Sequence, residues 1–105
     1  MSFYERYERA SVYFEAADFV TASRLLAPLV DEAPDDIALR LLLARAYYHS
    51  AQLGRAEATL REILDRDPVE SYAHLMLGRT LQRQSRATEA TTHLRLASAM
   101  TGWRT

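Results

Sequence analysis

The sequence contains no cysteine, no lysine and no asparagine. Without cysteine there are no disulfide bonds, thiol nucleophiles or thiolate metal ligands. No stretch approaches the roughly 18 apolar residues that a membrane-spanning helix requires. The first residues, Met1 to Arg6, lack the positive start and the apolar run of a signal peptide. These absences predict a cytoplasmic protein with no membrane partner.

All thirteen basic residues are arginine. One interpretation is the codon bias of a GC-rich, bacterial genome, because asparagine disappears together with lysine. The alternative is selection for the planar, bidentate contacts that arginine makes. The formal net charge is −1, so the chain as a whole does not attract polyanions. The basic residues are interspersed with acidic ones, and no nucleic-acid partner is predicted.

The chain repeats its residue pattern with a constant period, the step from Pro34 to Pro68, and no gap is needed to keep it in phase. Small and large residues recur separately at this step. The other matching positions are Tyr13 and Tyr47; Ala22, Ala56 and Ala90; Leu26, Leu60 and Leu94; and the small residues Ala10, Ala44 and Gly78. The length of 105 residues therefore accommodates one domain built from three similar units.

Each unit is predicted to be a pair of helices, because apolar residues recur at steps of three and four. The expected helices span 3–16, 19–32, 37–50, 53–66, 71–84 and 87–100. Asp36 and Ser71 are expected to cap the helices that follow them. Pro28 is expected to cost a hydrogen bond and to bend its helix.

The third unit, Ala73 to Leu81 followed by Glu89, Ala90 and Leu94 to Ala97, resembles the tetratricopeptide repeat. The resemblance extends from Phe3 to about Met100. It implies a single all-α domain over residues 1–105, a right-handed α-solenoid of three helix-turn-helix hairpins with about six helices. The repeats would span approximately 3–36, 37–70 and 71–104. Arg9 stands where Leu43 and Leu77 stand later, which suits the polar outer face of an N-terminal cap.

No pattern of residues indicates catalysis. The three histidines, His49, His74 and His93, are not spaced as two ligands on one helix face, and they are expected to be solvated or to line a groove. The glycines stand alone, so there is no phosphate-binding loop. We therefore expect no enzyme, no cofactor and no metal site.

In the fold that the chain resembles, the first helices of the units line a concave groove that binds a partner segment. That implies a non-enzymatic protein-interaction module whose ligand is a protein or peptide, with an acidic segment as one hypothesis. The predicted groove residues are Tyr4, Tyr7, Ser11, Phe14, Leu41, Arg45, Tyr48, His49, Tyr72, Leu75, Arg79, Gln82 and Arg83.

Two alternatives stay open for this groove. The arginines Arg45, Arg79 and Arg83 suit either an acidic ligand or an ordinary solvated helix face with local ion pairs. Phe14 and Tyr48 suit a ligand shelf, a self-association patch or packing against the neighbouring first helix.

The alternative function is a structural one, in which the chain assembles with itself as a homodimer or scaffold. The last hairpin is expected to keep a partly uncovered face. The residues predicted for self-association are Leu96, Met100 and Trp103.

Overall fold

In a computed structural model, residues 1–101 are described, and within them the chain forms six α-helices and no strand. The helices are α1 (Phe3–Glu15), α2 (Phe19–Glu32), α3 (Ile37–His49), α4 (Leu53–Arg66), α5 (Ser71–Arg83) and α6 (Ala87–Thr101). The first helices of the three hairpins begin one repeat period apart, and so do the second helices. The expected all-α solenoid of three hairpins is confirmed.

Acidic residues cap the helices that follow the two longer turns. Asp36 Oδ1 accepts a hydrogen bond from the backbone N–H of Leu39 at 3.0 Å, as predicted. The prediction of Ser71 as the next cap is wrong, because Ser71 is already the first helical residue of α5. Glu70 holds the extended conformation before the helix, and its Oε2 accepts from the N–H of Ala73 at 2.7 Å. The longer glutamate side chain thus does the capping usually done by aspartate or serine.

The turn within each hairpin contains one residue in the left-handed region. These residues are Ala17, Ala51 and Ser85, with φ of 61°, 59° and 61°. They occupy equivalent positions of the three units, so the same turn is built three times. None of them is glycine, and each turn therefore carries the steric cost of a Cβ atom in this conformation.

Helix α2 continues through Pro28 from Phe19 to Glu32. The proline side chain is exposed, so its ring lies on the outer surface of the helix. Pro28 has no N–H to donate to the carbonyl one turn earlier. The hydrogen bonds on either side of it are sufficient to maintain the helix.

Small residues allow the two helices of each hairpin to approach closely. Ala10, Ala44 and Gly78 occupy equivalent positions on the first helices, and Ala22 and Ala56 face them from the second helices, all of them buried. A Cβ atom built on Gly78 would lie 2.6 Å from Leu94 Cδ2. An alanine methyl group at this position would therefore require the Leu94 side chain to move.

The core is a strip between successive hairpins. One apolar cluster joins the first hairpin to the second and is centred on Leu26, Leu29 and Leu43. A second cluster joins the second hairpin to the third and includes Leu60 and Leu77. Each helix packs on the next along the chain, and α3 also packs on α5. The molecule is accordingly elongated, with extents of 43 × 24 × 21 Å.

A polar residue at one repeated position fastens each later hairpin to the turn before it. Arg40 and His74 are equivalent residues of the second and third units, and each is only 6% exposed. Arg40 Nε donates to the carbonyl oxygen of Pro34, and His74 Nε2 contacts the carbonyl oxygen of Pro68, both at 2.8 Å. The prediction that the histidines are solvated or line a groove is wrong for His74, because this turn carbonyl draws its ring inside.

The other end of each of these side chains reaches the second helix of the same hairpin. Arg40 Nη1 lies 2.6 Å from Glu62 Oε2. His74 Nδ1 lies 3.0 Å from His93 Nδ1, and the two rings stack at an interplanar angle of 23°. The polar residue thus links the preceding turn to the second helix of its own hairpin.

An ion-pair network ties α4 to α6. Glu57 accepts hydrogen bonds from Arg61 at 3.0 Å and from Arg86 at 2.7 Å. Arg86 also binds Glu89 at 2.9 Å. Burial of the Glu57 carboxyl opposes its ionisation, but the hydrogen bonds from Arg61 and Arg86 outweigh this and lower its pKa. The carboxylate therefore stays charged between the two second helices.

No helix in residues 1–101 combines the length and the apolar character needed to cross a membrane.

Candidate functional site

The first helices of the hairpins enclose a hollow of about 520 Å³ near the N-terminal end of the molecule. We call it the N-terminal hollow. Its walls come from α1, from α3 with the residue before it, and from one residue of α5. The lining residues are Phe3, Tyr4, Tyr7, Asp36, Ala38, Leu39, Leu41, Leu42, Arg45 and Tyr72.

The aromatic side chains of this hollow are open to solvent. Tyr4 is 66% exposed, Tyr7 36% and Tyr72 38%. The Tyr4 hydroxyl donates a hydrogen bond to Glu8, which raises the pKa of Tyr4. Tyrosines with an apolar ring and a polar tip are favoured at protein interfaces. The hollow thus offers rings for stacking and hydroxyls for hydrogen bonds.

A second and larger hollow, about 1120 Å³, lies on the outer face of the last hairpin. We call it the C-terminal hollow. It lies between α5 and α6, and Tyr72 lines both hollows. The lining residues are Ser71, Tyr72, Leu75, Arg79, Gln82, Thr91, Leu94, Arg95, Ala97, Ser98, Ala99 and Thr101.

The floor of the C-terminal hollow is apolar and its rim is cationic. Leu75 and Leu94 are half-buried, and Ala97 is 6% exposed. Arg79 and Arg95 are exposed at the rim. Within residues 1–101, neither guanidinium group forms an ion pair or a hydrogen bond with a side chain. This hollow therefore carries two positive charges without a counter-charge from the described part of the chain.

The predicted groove residues separate into three groups. Tyr4, Tyr7, Leu41 and Arg45 line the N-terminal hollow, together with Tyr72. Leu75, Arg79 and Gln82 line the C-terminal hollow, which Tyr72 also lines. The remaining five line neither hollow and are Ser11, Phe14, Tyr48, His49 and Arg83.

Phe14 and Tyr48 are covered by arginines from the neighbouring first helix. The guanidinium carbon of Arg45 lies 5.0 Å from the ring centroid of Phe14. That of Arg83 lies 4.6 Å from the centroid of Tyr48, and Arg83 Nη1 donates to the Tyr48 carbonyl oxygen at 2.8 Å. Arg83 thus binds a carbonyl oxygen at the C-terminal end of α3, where a cation is favoured. Phe14 and Arg45 therefore contact each other, and so do Tyr48 and Arg83.

His49 joins this aromatic row from the end of α3. Its ring stacks on Phe19 at a centroid distance of 4.8 Å and meets Tyr48 edge-on at 5.4 Å. Burial lowers the pKa of His49, and the positive charges of Arg45 and Arg83 lower it further. The imidazole is therefore kept neutral, which suits a stacking role.

The residues predicted for self-association lie elsewhere. Leu96 and Met100 are each 39% exposed on α6 and line neither hollow. Trp103 lies outside the described residues. Among residues 1–101, no three histidine, aspartate or glutamate side chains come together as metal ligands would.

Sequence reasoning missed the contribution of α6 to the C-terminal hollow. The signal was present in the repeat period. Ala97 and Ser98 stand where the second unit has Ile63 and Leu64, and the first has Leu29 and Val30. Smaller side chains at two adjacent positions of α6 indicate that this face of the last hairpin is not filled.

Solved structures with the same arrangement of helices include MamA residues 41 to the end from Desulfovibrio magneticus RS-1. It is 25% identical, with a TM-score of 0.86 over 94% of this chain and 56% of that one. The secretion translocator chaperone SycD of Yersinia enterocolitica is 18% identical, with a TM-score of 0.86 over 95% of this chain and 76% of that one. The present chain thus spans little more than half the length of the MamA structure.

No curated protein sequence matches the chain. The sequence model of the tetratricopeptide repeat matches residues 13–80, well over half of the chain. Together with three hairpins in one register and the overlap with solved helical-repeat structures, this places the protein in the tetratricopeptide repeat family.

Proposed function

We propose that the protein is a non-enzymatic interaction module that binds a segment of a partner protein in the N-terminal hollow. The observation that carries this proposal is the cluster of exposed tyrosines around an apolar floor. Tyr4, Tyr7 and Tyr72 converge there from two helices, above Leu41 and Leu42. Monomeric proteins rarely leave such aromatic surface uncovered unless it binds something.

The charges of the hollow select among partner segments. Arg45 lines one wall while its guanidinium also lies over Phe14, so a carboxylate of the ligand would meet a cation that is already held in place. Preorganised cations lose less conformational entropy on binding. Asp36 lines another wall, but its carboxylate accepts from the backbone of α3. An acidic residue next to an aromatic or aliphatic anchor is therefore the preferred ligand pattern.

Selection from a random peptide library tests this proposal, because it needs no identified partner. The library is displayed on phage and selected on the wild-type protein and on the Tyr4→Ser/Tyr7→Ser variant. The control is Val12→Ser/Val20→Ser, which removes two exposed apolar side chains that line neither hollow. Peptides that bind the wild type and the control, and lose at least tenfold in affinity for the tyrosine variant, support the proposal. If no selected peptide distinguishes the tyrosine variant from the control, the N-terminal hollow is not the binding surface.

Self-association is the second candidate function. The observation that favours it is the exposed apolar pair Leu96 and Met100 on α6. One SycD structure of the same fold is an alternative dimer of that chaperone. Sedimentation velocity over a hundredfold range of concentration separates the two functions. A dimer that Leu96→Ser/Met100→Ser dissociates supports assembly, and a monomer at all concentrations removes it.

A further inference from the structure

The outer face of the third hairpin corresponds to faces that are covered in the first two hairpins. Helix α3 packs on α2, and α5 packs on both α3 and α4. By the repeat period, the next position in this series lies against α5 and α6, where the C-terminal hollow opens. The internal repeats therefore show what this kind of face accepts, which is a single α-helix lying along the hairpin.

Two large residues of the equivalent faces are replaced by smaller ones in this hollow. Leu29 and Ile63 are fully buried between hairpins, and Ala97 occupies the equivalent position. On the first helix, Tyr48 packs on the next hairpin, and Gln82 stands in its place. A helix lying in this hollow needs larger apolar side chains than the Ala73, Leu77 and Thr80 that α5 presents to the second hairpin.

The cations at the rim differ from their counterparts in the second unit. Arg45, which corresponds to Arg79, lies over the ring of Phe14. Arg61, which corresponds to Arg95, binds Glu57 and Glu89. In residues 1–101, Arg79 and Arg95 have no such partner. Two unpaired guanidinium groups beside an apolar floor are complementary to an apolar helix stripe flanked by carboxylates.

We propose that the C-terminal hollow binds an acidic amphipathic helix of a partner protein, with large apolar residues at i, i+4 and i+7. Leu75, Leu94 and Ala97 receive the apolar stripe, and Arg79 and Arg95 bind carboxylates beside it. This surface shares only Tyr72 with the N-terminal hollow, and the proposal does not depend on binding there.

A second copy of the chain does not fit this hollow in the register of the repeats. The face of α1 that corresponds to Leu39, Leu43 and Ala46 consists of Glu5, Arg9 and Val12, all exposed. Stacking α1 of another copy on α5 and α6 would bring Arg9 to an apolar floor beside Arg79 and Arg95. Arg9 repels these two arginines, and burial of both Arg9 and Glu5 on the apolar floor costs their solvation, so the contact is unfavourable.

The test uses two short synthetic helical peptides with fluorescein labels. Both carry leucine at three positions spaced i, i+4 and i+7 on an alanine background, which favours the helix. One has glutamate at the flanking positions and the other has lysine. Fluorescence anisotropy with the full chain is expected to show at least tenfold tighter binding of the glutamate peptide. Equal binding of the two peptides, or no binding of the glutamate peptide, overturns the proposal.

Variants locate the peptide on the protein. Arg79→Glu/Arg95→Glu is expected to lower the affinity for the glutamate peptide at least tenfold. The matched control, Arg9→Glu/Arg24→Glu, changes the net charge equally at exposed arginines that line neither hollow. Leu75→Ala is expected to weaken binding as well, with circular dichroism confirming that all variants fold. Equal losses in the Arg79/Arg95 variant and the control overturn the proposal.

Two further readouts distinguish other occupants. Tyr4→Ser/Tyr7→Ser is expected to leave the affinity for the glutamate peptide unchanged. A failure of the proposed binding in the N-terminal hollow is thereby distinguished from a failure of the present proposal. A loss with the tyrosine variant as large as that with Arg79→Glu/Arg95→Glu overturns the proposed location. If the chain without peptide forms a dimer that the arginine variant dissociates, the occupant is a second copy and the proposal is wrong.

Discussion

The Nδ1 atoms of His74 and His93 lie 3.0 Å apart, and Nε2 of His74 lies 2.8 Å from the carbonyl oxygen of Pro68. A carbonyl oxygen only accepts, so His74 Nε2 carries the proton and donates. In the neutral pair, His74 Nδ1 is then the acceptor and His93 Nδ1 the donor. A further proton can enter at His93 Nε2 without breaking this hydrogen bond, whereas a proton on His74 Nδ1 would place two N–H groups against each other.

We predict that the protein loses stability in mild acid. Burial lowers the pKa of His93, as do His74 of α5 and Arg61 of α4, against the opposite effect of Glu89 on α6. Between this lowered pKa and about 6.5, the unfolded chain binds more protons than the folded one. The free energy of unfolding should consequently fall as the pH drops below about 6.5. Urea titrations at pH 7.5, 6.5 and 5.5 measure this.

Replacement of the pair by its counterpart from the second unit gives the control. His74→Arg, His93→Thr and Leu96→Glu together reproduce Arg40, Thr59 and Glu62. This triple variant should show a flatter pH profile, with the remaining slope reduced further by His49→Gln, since the pKa of His49 is lowered as well. An unchanged profile in the triple variant would show that the histidine pair does not cause the acid sensitivity.

Gly78→Ala is expected to destabilise the protein by up to about 2 kcal/mol, because an overpacking cost of about 1–3 kcal/mol is offset in part by a gain of about 1 kcal/mol in helix propensity. The added methyl group would lie 2.6 Å from Leu94 Cδ2 and 3.3 Å from the Ala90 carbonyl oxygen. Leu94 must therefore move, and it lines the C-terminal hollow. Denaturant unfolding measures the loss.

Gly54→Ala is the matched control for this effect, because nothing lies within 4 Å of its added methyl group. Alanine favours the helix more than glycine, so Gly54→Ala should stabilise the protein by up to about 1 kcal/mol. The same sign for both substitutions would mean that the contact with Leu94 is not the cause.

Glycine at the left-handed turn positions should increase stability. Ala51→Gly and Ser85→Gly remove the steric cost at φ of 59° and 61°. That cost is about 1–2 kcal/mol, and the greater freedom of glycine in the unfolded chain offsets about half of it. Thermal unfolding should show a higher midpoint for each variant. Ala58→Gly, at an exposed position within α4, should instead destabilise by about 1 kcal/mol.

Arg40→Met should cost about 1–3 kcal/mol, because it leaves the Pro34 carbonyl without its buried donor while keeping a long side chain. Arg66→Met is the comparison. Arg66 pairs with Asp35, whose side chain is 95% exposed, so its loss should cost less than about 1 kcal/mol. Denaturant titrations measure both losses of stability. If Arg66→Met is as costly as Arg40→Met, the hydrogen bond to the Pro34 carbonyl is not what makes Arg40 important.

The fold was predictable because the residue pattern that specifies one hairpin occurs three times in the sequence. Three copies of one helical pattern reinforce each other, and a constant period aligned positions such as Leu26, Leu60 and Leu94. Capping was less predictable, since it depends on which side chain reaches a backbone N–H. Asp36 was identified and Glu70 was not, because glutamate is rarely favoured at that position.

The polar contacts could not be predicted from the spacing of residues in the sequence. His74 and His93 are far apart in the sequence and on different helices, and only the packing of α5 on α6 brings their rings together. The stacking of Arg83 on Tyr48 likewise depends on side-chain rotamers across two hairpins. The predicted groove remains a prediction as a binding site, and the structure places eight of its thirteen residues in two hollows and five in neither.

The common period of the helix starts also makes the length of the protein adjustable. A second copy of residues 37–70 inserted after residue 70 would place each new helix against the same residue types that α3 and α4 already meet. Tyr72 would then line only the C-terminal hollow, and the tyrosines of α1 would move one hairpin away from it. The number of repeats therefore determines the distance between the N-terminal hollow and the C-terminal hollow.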